Sequence, residues 1–164
     1  ACTATIRNVA CALRRPALIQ FAAMARVDFY VLQRADERSR QLLACRLAEK
    51  AYRLDHTVYL HTSTRADAMQ LDELLWTYRD GSFVPHALAD ESDSTPSPVT
   101  IGCDTDISET RDILINLCDE IPSFADRFAR VAELVTADDE CRRLSRKRFV
   151  EYRDKGHSIQ THNI

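Results

Sequence analysis

Four residues near the carboxyl end, Arg142, Arg146, Phe149 and Arg153, follow one another at spacings of four, three and four. On a helix turning about 100° per residue they fall within about 60° of one another. An aromatic ring set among guanidinium groups has two readings. One is a solvated basic face with Phe149 tucked against a neighbour. The other is a pocket for an acidic peptide ending in an apolar residue, because arginines pair carboxylates bidentately and the ring packs on the side chain.

A second anomaly surrounds Trp76. The apolar stripe of its segment runs through Leu71, Leu74, Leu75 and Tyr78, whereas Trp76 lies about 140° from Leu71, between Asp72 and Asp80. A tryptophan there is either covered by another part of the chain or offered to a partner. The following stretch, Ser-Phe-Val-Pro-His-Ala-Leu at 82–88, puts Phe83, Val84 and Leu88 in a connection where polar residues are usual. Pro85 stiffens it and lowers the entropy lost on docking. Together these residues are similar to an aromatic-anchored protein interface.

Catalytic chemistry is not signalled. The only glycines are Gly81, Gly102 and Gly156, far apart, so neither a phosphate-cradling loop nor a dinucleotide fingerprint can form. There is no GxSxG and no HExxH. The six cysteines (Cys2, Cys11, Cys45, Cys103, Cys118, Cys141) contain no CxxC pair, and no two histidines stand four apart, so no metal site or redox dithiol is expected. Reduced thiols fit a cytoplasmic protein. His61 and His86, as lone histidines at element boundaries, read as structural. The expectation is a protein without catalysis, cofactor or metal.

Charge is distributed unevenly. The formal net charge is −3, which excludes a surface given over wholly to nucleic acid. Residues 90–120 nevertheless hold nine acids and one base, and residues 142–155 hold seven bases and two acids. Opposite fields are expected at the two ends.

The elements that must position these residues alternate. Residues 27–33, rich in β-branched and aromatic types, predict a buried strand. From residue 35 the period becomes helical, with Leu43, Leu47, Ala51 and Leu54 on one stripe, and 57–62 predicts a second strand. A helix is expected over 64–78, closed by the turn at 79–82. An acidic, proline-containing solvated loop spans 89–98, and short strands follow at 99–103 and 112–117. Phe124, Phe128, Val131 and Val135 share a helical stripe. A last helix is expected over 138–155, with Cys141, Leu144 and Tyr152 facing the core. No apolar run approaches the roughly 18–20 residues needed to cross a bilayer. Residues 1–23 hold three arginines and no acid, and are expected to be an extension preceding a single domain at 24–164. Such alternation implies a three-layer α/β/α domain around a mainly parallel sheet.

The segments KAYRLDHTVYLHT, LDELLWTYRDGSFVPHALADE, RDILINL and RLSRKRFVEYR closely resemble the chi subunit of DNA polymerase III, from about residue 24 to 156. The resemblance implies a Rossmann-like domain without a nucleotide motif, in agreement with the missing glycines. It implies an accessory, non-catalytic replication subunit that binds the psi subunit and the acidic C-terminal tail of single-stranded DNA-binding protein, touching DNA only through that coating protein. By matching position it assigns the psi contact to Phe83, Val84, Pro85 and Leu88, with Trp76 matching a family tryptophan near the partner surfaces. It assigns the tail site to Val135, Arg142, Arg146 and Phe149, beside which Arg153 lies on the same stripe. Here Arg142 stands where lysine is familiar and Phe149 where tyrosine is familiar. The competing reading from the residues is a direct single-strand nucleic-acid binder using the same basic stripe and ring.

Overall fold

A computed structural model describes residues 24–90, 97–103, 106–107 and 110–164. Residues 1–23, read above as an extension, and most of the acidic loop lie outside the described residues.

Seven strands form one sheet in the order β3-β4-β2-β5-β6-β1-β7, and every pairing is parallel. β1 (Arg26–Val31) leads into α1 (Glu37–Tyr52), β2 (Val58–His61) and α2 (Arg65–Thr77). After the three-residue edge strand β3 (His86–Leu88) come β4 (Val99–Gly102) and β5 (Ile113–Asn116). A single 3-10 turn, Ala125–Arg127, precedes β6 (Arg130–Val135), and α3 (Asp139–Asp154) crosses back to β7 (Ser158–Asn163). The expected single three-layer α/β domain is present, with a sheet that is wholly rather than mainly parallel.

Each helix starts on a side chain that satisfies an otherwise orphaned amide. Asp36 accepts from the Ser39 N–H, Thr64 from Asp67, and Asp138 from Cys141. α1 ends where Asp55 takes a positive φ of 58°, so the chain turns sharply into β2. Leu54, counted in the apolar stripe, falls past that end and is exposed. The two sheet faces carry separate cores. α1 and α2 cover one, where Leu43, Ala48, Leu71 and Leu75 meet Leu60, Ile101, Ile115 and Leu134. On the other, Tyr152 and Cys141 of α3, with Phe124 and Phe128, cover Val27, Phe29, Leu114 and Val131.

One expected helix is a strand. Val131 and Val135 belong to β6, paired with β5 on one side and β1 on the other. Val131 and Val135, four apart, share a face in a strand as well as in a helix, so that pair does not distinguish them. The β-branched content of Arg-Val-Ala-Glu-Leu-Val, buried from Val131 onward on both faces, decides for the strand. Two strands were not foreseen. β3 is only three residues long, inside the segment read as a connection, and β7 is polar and mostly exposed, without hydrophobic alternation.

Candidate functional site

The α3 stripe is built from the core outward. The residues of α3 that enter the core are Cys141, Ser145, Arg148 and Tyr152. Leu144, expected there, is only half-buried. Arg148 was not foreseen: it sits inside the basic run, yet its guanidinium meets Glu133 of β6, Nε to Oε2, at 3.0 Å. The Tyr152 hydroxyl and the Asn116 amide donate to the other Glu133 oxygen at 2.9 and 3.1 Å, and Arg148 also reaches the Asp119 carbonyl. Burial pushes the Glu133 carboxyl above its ordinary value against the pull of Arg148, and burial likewise raises the Tyr152 hydroxyl, with Glu133 adding to it. A glutamate amid Val-Ala-Glu-Leu-Val demands a buried partner, and Arg148, at the spacing 141, 145, 148, 152, is the base that faces it.

This network fixes the rotation of α3. The Arg148 side of the helix turns toward β6 and the end of β5, so the opposite flank leans over β1. There Phe149 rests on Phe29, ring centroids 5.5 Å apart, and stays 37% exposed. Arg146 is exposed and Arg142 half-buried. Among the described residues neither has an ion-pair partner, whereas Arg143 pairs with Glu140 and Arg153 with Asp154. The structure therefore brings Arg142, Arg146, Phe149 and Arg153 onto one flank with two unengaged guanidinium groups. Val135, also assigned to this site, is buried at the end of β6 in the core with Phe29 and Cys141, and its side chain is not presented to a partner.

The second surface lies at the other end of the sheet. Trp76 is 52% and Phe83 66% exposed, their rings tilted at 5.5 Å, and the indole also lies 4.6 Å from His86. His86 is held between the carbonyls of Val84 and Asp72, a structural role. Pro85 is half-buried. Val84 and Leu88, by contrast, are buried in the α1/α2 core, so they support this surface from beneath and do not present side chains to a partner. Met69, seven residues before Trp76 and therefore on the same face of α2, is exposed too. That spacing was its one signal in the sequence.

The turn presenting Phe83 is clamped by Glu49 of α1. Its carboxylate accepts from the Tyr78 hydroxyl, Arg79 and Arg53, and Tyr78 shares a 3.0 Å hydrogen bond with Ser82. Burial acts to raise the Glu49 carboxyl, but the hydrogen bonds from Tyr78 and Ser82 and the charges of Arg53 and Arg79 outweigh it and hold it below its usual range.

A crevice of about 600 Å³ lies at the carboxyl ends of β2, β4 and β5, where doubly wound sheets receive ligands. Asp119 and Glu120 line it, a poor match for phosphate, and the Tyr59 hydroxyl fills the space above Gly102, where a Cβ would lie 2.3 Å from it. Cys103 and Cys118 on its wall are free thiols, as are the buried Cys45 and Cys141. Burial pushes Cys118 above the usual thiol value and Cys45 up to about 12, so neither favours the nucleophilic thiolate. Cys2 and Cys11 lie outside the described residues. Among the described residues no group of His, Cys, Asp and Glu is arranged to hold a metal ion, and no helix is long and apolar enough to cross a membrane.

These features define a Rossmann-like α/β domain without a phosphate loop. In fold it is similar to bacteriophage T4 UvsW, with a TM-score of 0.63 at 10% identity over 87% of this chain and 42% of that one. Residues 24–160 match the family described as DNA polymerase III chi subunit, HolC. DNA polymerase III subunit chi of Pseudomonas aeruginosa is 44% identical over 86% of this chain and 98% of its own length. The corresponding subunit of Haemophilus influenzae is 32% identical over 84% and 96%, and that of Escherichia coli 35% over 73% and 82%. The chain belongs to the DNA polymerase III chi subunit family, a family of DNA replication.

Proposed function

We propose that the protein is a non-catalytic adaptor of the replicative polymerase, working in the cytoplasm at the replication fork. Its Trp76-Phe83 surface holds the psi subunit of the clamp loader. The α3 flank grips the acidic C-terminal tail of single-stranded DNA-binding protein. The observation that carries this reading is the separation of the two aromatic surfaces. One lies beside β3 on the α1/α2 face, the other leans over β1 on the α3 face, at opposite ends of one sheet. Each can be occupied without blocking the other.

The chemistry of each surface suits its partner. Phe83 and Trp76 offer rigid apolar area on a clamped turn, so little conformational freedom is lost when a protein docks. Arg142 and Arg146 offer fork-shaped donors to carboxylates, with the Phe149 ring beside them for a terminal apolar residue. No bond is made or broken: tethering raises the effective concentration of polymerase on coated single strands.

The test is a pull-down with single-stranded DNA-binding protein, intact and lacking its final residues. Capture of the intact form alone supports the reading. Equal capture of both forms, or tight binding of bare oligonucleotide, replaces it with direct single-strand binding.

A further inference from the structure

The outer edge of β7 has a backbone address. Ser158 donates its N–H to the Ala25 carbonyl and Ile164 to that of Val31. In this parallel ladder the even-numbered residues of β7 thus turn their backbone groups toward β1, and those of Ile159, Thr161 and Asn163 point away from the sheet. Among the described residues no strand lies beyond β7. Natural edges are usually blunted by lysine, proline, an inward charge or a bulge. The edge Ser-Ile-Gln-Thr-His-Asn contains no lysine, acid or proline, and its pairing with β1 runs unbroken for its whole length.

This edge borders the α3 flank. Ile159 packs on the α3 side of the sheet with Phe29 and Tyr152, and residues two and four further on share its face. α3 leaves the end of β6 and returns to the start of β7, so Arg142, Arg146, Phe149 and Arg153 run alongside the strand. Phe149 packs on Phe29 of β1, the strand that pairs with β7.

We propose that an acidic peptide terminus binds here as an eighth strand, pairing its backbone with Ile159, Thr161 and Asn163 while its carboxylates meet Arg142 and Arg146 and its apolar residue packs on Phe149. This rests on the tail-binding reading of α3 and supplies the mode of recognition, strand addition. Charge selects the occupant. A second copy of the chain pairing β7 with β7 would set two arginine stripes against each other, whereas an acidic strand neutralises Arg142 and Arg146.

The experiment titrates the full chain with the tail peptide of single-stranded DNA-binding protein and with two versions N-methylated at alternate residues, one per register. The expected result is that one version loses about tenfold or more in affinity and the other binds like the parent. Thr161→Pro removes an outward N–H and leaves the bonds to β1 intact, so it is expected to weaken the parent peptide by a similar factor at unchanged Tm. If that variant unfolds, the methylated peptides decide alone. Tight binding of the parent with no loss in either register overturns strand addition while leaving the tail site standing. No binding of the parent overturns both, and dimerisation of the free chain through β7 overturns the choice of occupant.

Discussion

Arg148 of α3 and Glu133 of β6 form an ion pair at 3.0 Å in which the side chains are 4% and 0% exposed. The pair makes a buried strand and a surface helix one unit, and it sets which side of α3 faces solvent. Removing one partner strands the other charge in the core, a loss of about 3–5 kcal/mol. Arg148→Ala is therefore expected to lower stability by that order in chemical denaturation. The double change Glu133→Leu with Arg148→Met is expected to recover most of it.

Asp28 of β1 ties down the last strand. Its carboxylate accepts from Arg26, Arg130 and His162, and Arg26 also bonds Gln160 of β7. Burial acts to raise this carboxyl, but hydrogen bonds from His162, Arg26 and Arg130 outweigh it and hold it below the ordinary aspartate value. A carboxylate depressed on folding contributes stability above its unfolded pKa and loses it as pH falls through the folded one. Tm is thus expected to drop on acidification from the ordinary aspartate range downward, and Asp28→Asn to flatten that acid limb while lowering Tm at neutral pH.

Phe83→Asp is expected to weaken psi binding by about thirtyfold or more, the scale of losing an interface anchor. Tail binding should be unchanged. Co-purification with psi, followed by peptide titration of the same variant, checks both; loss of both functions together would point to the fold instead.

Arg146→Ala is expected to weaken the tail peptide by about tenfold or more at low salt with no change in Tm, since Arg146 has no internal partner among the described residues. The difference from the parent should shrink as salt rises, because exposed charges are screened beyond about 8 Å at physiological ionic strength. Titrations at two salt concentrations measure this directly.

Much of this architecture was legible in the chain. The β-branched run at β1, the helical stripe through Leu71, Leu74 and Leu75, and the helix starts near residues 64 and 138 report local physics that tertiary packing only reinforces. Where local physics is ambiguous, sequence pattern and fold part company. Val131 and Val135 satisfy two periodicities at once, and β7 is held by backbone pairing and by Asp28 with little apolar burial of its own. In the site, the wheel that grouped Arg142, Arg146 and Phe149 rests on spacing alone and so carried over to the fold. It could not separate Arg148 from its basic neighbours, because that distinction is made by Glu133, fifteen residues away on another element. Likewise Val84 and Leu88 look like Phe83 in sequence, and only tertiary packing against α1 and α2 separates them, with Leu88 in the edge strand β3.

Independence of the two surfaces is the most exposed claim. Titrating the tail peptide into the free chain and into its complex with psi tests it directly. Equal affinities within about twofold are predicted, since the aromatic patch beside β3 and the arginine flank over β1 share no residue. Loss of peptide binding once psi is bound would contradict the adaptor, because one surface would then be serving both partners in turn.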